Sequence, residues 1–319
     1  MRARFDVILL SAWILLLASA PLYADNYIIR AATSIAMYSV LAYAWNFIGG
    51  MAGYPSFSTA AFFGLGSYAG AIAQKNGLPM TVAWPLAAGA VAMFAMLLGF
   101  VLLRLRGHYF AIGSIAIVEI CRLVISSWDA VTGGGDGLNL PLLRWSPSQV
   151  ASFFLEVMLV ILVLSAVVTF AVANSRFGFG LRCIKQNEDA ASLVGVDTTL
   201  YKIGAYVLSA CFAALVGAVY ASWTGYIDPT ESFQIVMTLK VPVMVMLGGL
   251  GTFLGPALGA AAFLLLEETV WSHFLDWNRA ILGIVIVLVI FFIPGGILNF
   301  VPRRMVTWNS MVKAVRSRA

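Results

Sequence analysis

Apolar runs of about 16–24 residues, separated by short polar or glycine-rich breaks, recur along almost the whole chain. A helix rises 1.5 Å per residue, so about 20 apolar residues cross a hydrocarbon core of about 30 Å. On length and apolarity the pattern predicts ten membrane elements, near 7–23, 28–48, 56–73, 81–103, 108–127, 150–173, 203–224, 233–248, 252–267 and 280–298. The eighth and ninth are short and rich in glycine and proline, which suits broken or re-entrant segments. The expected fold is therefore all-α: a polytopic transmembrane helical bundle of about 8–10 membrane elements, forming one domain over residues 1–319.

Composition agrees. Hydrophobic residues make up 61% of the chain and charged residues 10%, with a mean hydropathy of +0.94. A soluble domain carries about 25% charged residues, and a chain of this size could not hide so much apolar surface. The net charge of +5 comes from basic residues in short breaks between runs, so it reads as topology rather than nucleic-acid binding.

Met1–Asp25 resembles a secretory signal, with Arg2 and Arg4 ahead of an apolar core and a small-residue end. Counted instead as a retained first helix, it closes the topology. With the N-terminus inside and the elements alternating, the inner segments hold Arg2, Arg4, Arg104, Arg106, Arg176, Arg182, Lys185, Lys202 and the five basic residues of the 303–319 tail. The outer segments hold only Arg30, Lys75, Arg144 and Arg279. This is the bias of the positive-inside rule, and it puts both termini in the cytoplasm. Two five-element halves would then run antiparallel, as in an inverted repeat.

One inner connection is longer and more polar than the others, Asn174–Tyr201. Within it Asp189, Ala190 and Ala191 are followed by Gly195. Small residues permit close backbone approach, and Gly195 suits a helix end or a positive φ. Such a segment is either a short helix that enters a partner's groove or an ordinary solvated loop.

The 189–195 pattern resembles the EAA motif of ABC importer permeases, with aspartate where glutamate is usual. The wider chain is similar to branched-chain amino acid permeases of the LivM type. The stretches that carry the resemblance are Gly49-Gly50-Met51-Ala52-Gly53 with Ser56-Phe57-Ser58 and Ala60–Gly64; Leu105–Ile112 with Glu119-Ile120 and Arg122-Leu123; Thr132–Gly137; and Val245–Gly251 with Gly255-Pro256 and Gly259-Ala260. They occur in the family's order from about Asn46 to Gly259, and more loosely to Pro294. The resemblance implies a non-catalytic permease that works by alternating access. Its coupling loop, 174–201, would carry Asp189, Ala190, Ala191 and Gly195 into a cleft of an ATP-binding subunit. The implied partners are a second permease subunit, two ATP-binding subunits and a periplasmic or extracytoplasmic substrate-binding protein, all at the inner membrane and in its lipid. The implied solutes are leucine, isoleucine and valine; related permeases carry urea or short amides.

Other residues leave alternatives open. Glu119 and Arg122 share one helical face in an apolar run. A charge at mid-membrane is costly, so the pair either lies along a solute path or subunit interface, or is an ion pair that fixes packing. Lys240 precedes Pro242 and could snorkel, while the proline would kink its helix and free backbone to line a cavity. The glycine-rich runs 49–53, with Gly49, Gly50 and Gly53, 64–66, and 248–259, with Gly248 and Gly249, suit either a cavity lining or tight helix packing. The outer loop, Trp128–Gln149, would receive a binding protein or cap the vestibule. The three cysteines have no paired or metal-site spacing. No metal-ligand cluster, hydrolase motif or phosphate-binding P-loop is present in the sequence, so no cofactor is expected and any ATP must be hydrolysed by another chain. An ion-coupled secondary transporter is the rival class; an intramembrane enzyme lacks a catalytic constellation.

Overall fold

The computed structural model describes residues 2–22, 25–141 and 144–273, with Gly283, Gly296 and Ile297. Thirteen helices lie within these residues: α1 (Arg2–Ala18), α2 (Asn26–Trp45), α3 (Thr59–Lys75), α4 (Met80–Leu102), α5 (His108–Ser127), α6 (Asp129–Thr132), α7 (Pro147–Ala173), α8 (Arg176–Gln186), α9 (Glu188–Leu193), α10 (Thr198–Thr224), α11 (Pro229–Ser232), α12 (Ile235–Gly248) and α13 (Gly255–His273). Two short strands, β1 (Leu138–Asn139) and β2 (Tyr226–Ile227), pair antiparallel. Nine of the ten expected membrane elements coincide with α1–α5, α7, α10, α12 and α13. The tenth, 280–298, and the basic tail, 303–319, lie outside the described residues. Among the described residues six spans are long and apolar enough to cross a bilayer: 26–51, 80–102, 108–127, 147–173, 198–224 and 229–248. The chain is a multi-pass membrane protein.

Local sequence sets the helix ends. Ser146 accepts a hydrogen bond from the Gln149 amide while the Gln149 side chain accepts from the Ser146 amide, and Pro147 occupies the first turn of α7. Asp197 caps α10 by accepting from Leu200 N at 3.0 Å. α2 widens into a π turn over Asn46–Met51.

The centre of the bundle is α10 against α2, α3 and α4, and its closeness depends on missing side chains. A Cβ on Gly66 would lie 2.2 Å from Ala214 O, and one on Gly217 would lie 2.1 Å from Phe63 O. With both backbones so near, Ser67 Oγ donates across the interface to Gly217 O at 2.9 Å. Small residues thus replace the hydrophobic effect, which lipid does not supply.

The connections sort to two ends. At one end are 46–58, 103–107, 174–201 and 249–254, joined by the polar contacts described below. At the other, β1 pairs with β2 and Tyr226 Oη donates to Asp136 O at 2.9 Å. Residues 136–140 are thus folded onto the segment that follows α10.

Candidate functional site

α8 and α9 form the long connection between α7 and α10. Ser175 caps α8 by accepting from Gly178 N at 3.2 Å. Gly180 leaves room for the ring of Tyr201, and Phe177 stacks on that ring with centroids 5.3 Å apart, which lays α8 against the start of α10. Leu181, Ile184 and Ala191 are buried and anchor the pair. Between the helices Asn187 is extended, and its Oδ1 accepts from Ala190 N at 3.0 Å.

The end of α9 is closed by glycine. Val196 N donates to Ala191 O and Gly195 N to Ser192 O, both at 3.1 Å, with Gly195 at φ +86°. This crossed pair of bonds is the Schellman closure, which needs a left-handed residue at the glycine position. It turns the chain so that Leu193 and Val194 stand outward, 88% and 76% exposed. Phe179 and Leu200 are also exposed. A polar segment thus ends in an apolar tip that is left uncovered among the described residues.

Behind the tip lies a buried ionic joint. Lys202, on the first turns of α10, is 4% exposed and pairs with Glu188 of α9 at 2.6 Å; the Glu188 side chain is 15% exposed. Lys202 also donates to Tyr54 Oη at 3.2 Å and to Leu103 O at 3.3 Å. Tyr54 Oη in turn donates to Glu188. Burial alone would raise the Glu188 pKa, but hydrogen bonds from Lys202 and Tyr54 outweigh it and hold the carboxyl below its ordinary value. Burial beside that carboxylate pushes the Tyr54 phenol up. Asp189 faces outward and forms an exposed pair with Arg106 at 3.0 Å.

A second tie runs from α8. Lys185 Nζ donates to Gly50 O at 2.7 Å, at the end of the π turn, where a cation suits the helix C-terminus. Burial lowers the Lys185 pKa. Asn46, fully buried, accepts from Gly251 N at 2.9 Å and donates to Thr252 O at 3.3 Å. The α8–α9 pair, the 46–54 segment and the turn between α12 and α13 are therefore one connected polar assembly.

This assembly gathers Gly49, Gly50, Gly53, Gly248 and Gly249 with 189–195, but as close-packed backbone. A Cβ on Gly50 would meet Asn46 and Gly251, and one on Gly248 would meet Gly255 O at 1.8 Å. Lys240 lies elsewhere: instead of reaching for the interface it pairs with Glu267 of α13, both largely buried. α12 runs unbroken through Pro242. Glu119 and Arg122 do pair, but on a face of α5 turned away from the bundle, beside exposed Ile112, Ile120 and Leu123. Among the described residues the pair therefore holds no neighbouring helix.

Sequence reasoning singled out Asp189 and passed over its neighbour Glu188, and it counted Lys202 only as a topological charge. The phase of α10 carries the missing signal. Lys202 shares its face with Tyr206, Ser209 and Ala213, all buried, so a lysine in that register needs an anion. Among the described residues no group of three or more His, Cys, Asp or Glu could hold a metal ion.

Residues 27–290 match the profile of a family described as "Branched-chain amino acid transport system / permease component". The high-affinity branched-chain amino acid transport system permease protein LivM of Salmonella typhimurium is 28% identical over 294 residues, covering 84% of this chain and 69% of that protein. LivM of Escherichia coli K12 is 26% identical over 331 residues, covering 95% and 77%. The autoinducer 2 import system permease protein LsrC of Escherichia coli O9:H4 is 30% identical over 142 residues, covering 41% and 40%. No solved structure matches.

Proposed function

The chain belongs to the family of permease components of branched-chain amino acid transport systems, and from that premise we propose that it is one membrane subunit of an ATP-driven importer. It carries leucine, isoleucine and valine across the cytoplasmic membrane and leaves ATP hydrolysis to two partner subunits. The observation that carries this reading is the outward apolar tip of α9, locked to membrane helix α10 through the buried Glu188–Lys202 pair. An ATP-binding subunit grips Ala190–Gly195 from the cytoplasm. When two such subunits close, α9 moves, and the joint transmits the displacement to α10, to Leu103 after α4 and to the 46–54 segment.

The second permease subunit covers α5. An ion pair and a stripe of apolar residues on one exposed face suit neither lipid nor the interior of this bundle; a facing subunit with a polar path between them suits both. A substrate-binding protein docks at the opposite end, where residues 136–140 are folded onto the segment after α10. The names of the LivM relatives support a branched-chain solute, while LsrC shows that similar sequences serve another solute.

Reconstitution in proteoliposomes with the partner subunits and binding protein tests the reading. Leucine uptake requires ATP and is unaffected by urea or short amides. Uptake driven by an ion gradient without the ATP-binding subunits overturns it in favour of a secondary transporter.

A further inference from the structure

A cleft of about 440 Å³ opens between the end of α4, the Leu103–Arg106 turn and the first turn of α10. Its wall holds Phe100, Leu103, Arg104, Arg106, Thr198 and Lys202. The three cations differ in what they already do. Lys202 is spent on Glu188, which also lines the cleft, and Arg106 contacts Asp189 through Nη1 alone. Arg104 is exposed and makes no hydrogen bond or ion pair among the described residues. Arg106 retains further N–H donors, and Thr198 and Thr199 line the same space.

The other side of the cleft is apolar and continuous with the membrane surface of the protein. Met93, Leu97, Phe100 and Val101 of α4 are all exposed and run from the cleft toward the bilayer core. Arg104 lies two residues beyond the end of α4, at the level where a span leaves the hydrocarbon. A polar, cation-rich recess with an acyl-length apolar lip fits an amphiphile. A soluble anion would have no use for the lip.

We infer that this cleft holds the headgroup of an anionic phospholipid, with the phosphate on Arg104 and Arg106, the headgroup hydroxyls on Thr198 and Thr199, and an acyl chain along Leu97, Phe100 and Val101. Basic recesses between helices at the cytoplasmic surface suit such headgroups. The bound lipid bridges α4 to α10 beside the Glu188–Lys202 joint, so it stiffens the place where α9 meets the bundle. The site does not depend on the docking reading, because a chain that binds no ATPase keeps the cleft.

The test is lipid retention by the purified full-length chain, read by native mass spectrometry after exchange into mixed phosphatidylglycerol and phosphatidylethanolamine. The wild type retains phosphatidylglycerol preferentially. Arg104→Gln lowers that preference about fivefold, the factor equivalent to about 1 kcal/mol for one cation at an anionic headgroup. Arg104→Lys retains most of it, and Lys75→Gln, at the opposite end of the bundle, changes nothing. Equal retention of both lipids by the wild type overturns the site, as does an Arg104→Gln protein that matches it, or an equal loss in Lys75→Gln. Displacement of the lipid by millimolar inorganic phosphate overturns the lipid assignment in favour of a soluble anion.

Discussion

Replacing Lys202 with methionine keeps the length of the side chain and removes the charge that neutralises Glu188. In the packed state Glu188 is then a carboxylate 15% exposed with Tyr54 Oη as its remaining strong donor. Removing one member of a buried ion pair costs about 3–5 kcal/mol, because the other charge stays desolvated. Tyr54 and the residual exposure place this case at the lower end, about 3 kcal/mol. When α9 lifts away from the bundle Glu188 regains water, so the cost falls on the packed state alone. Local opening of α9 becomes more frequent by a factor of about 150. Hydrogen exchange of the full-length chain in nanodiscs reads this directly. The amides of Ala190, Ala191 and Val196, bonded to Asn187 Oδ1, Asn187 O and Ala191 O, lose about two orders of magnitude of protection. Lys202→Met combined with Glu188→Leu removes both charges and restores most of it. Wild-type protection in the single variant, or a double variant as open as the single, refutes the claim that this pair fastens α9 to α10.

Gly195→Val forces a β-branched residue to φ +86°, where no neighbour obstructs the new Cβ, so the cost is backbone strain of about 1–2 kcal/mol. Binding of the ATP-binding subunit weakens roughly 5–30-fold while membrane insertion is unchanged, and normal substrate-stimulated ATP hydrolysis contradicts the assignment. Gly66→Val drives a side chain into the backbone at Ala214 and separates α3 from α10; the protein loses detergent stability, and a variant as stable as wild type contradicts the close-packing account. The lowered Glu188 pKa makes the joint's contribution complete above the ordinary carboxylate pKa of about 4.3 and lost as pH falls through the lower folded value. Protection of the α9 amides, corrected for intrinsic exchange, therefore stays level from pH 8 to about 5 and falls only in stronger acid; a decline centred near neutrality counts against it.

The elements were legible wherever one local signal decided them. α5 spans His108–Ser127, as its apolar run indicates, because charged and glycine residues bound it on one side and Trp128-Asp129 on the other. Gly195 was legible for the same reason: a left-handed turn after a short helix narrows the choice to few residue types. Contacts between distant segments were not legible. Nothing in the order of residues says that Tyr54 meets Glu188, that Lys185 reaches Gly50, or that Lys240 meets Glu267. The choice between Glu188 and Asp189 shows the limit most plainly. The two carboxylates are adjacent, so only the docking angle of α9 on α10 decides which is buried. Spacing alone gave the pairing of Glu119 with Arg122, whereas its outward direction depends on how α5 rotates against α3 and α4.

Site-directed labelling of a cysteine at Leu193, in a variant lacking the three native cysteines, tests the central claim most directly. An impermeant maleimide added to the cytoplasmic side of sealed vesicles modifies this position, and assembly with the ATP-binding subunit blocks the reaction. Modification from the external side alone, or labelling unchanged by the assembled ATPase, contradicts the claim that the tip of α9 is gripped from the cytoplasm.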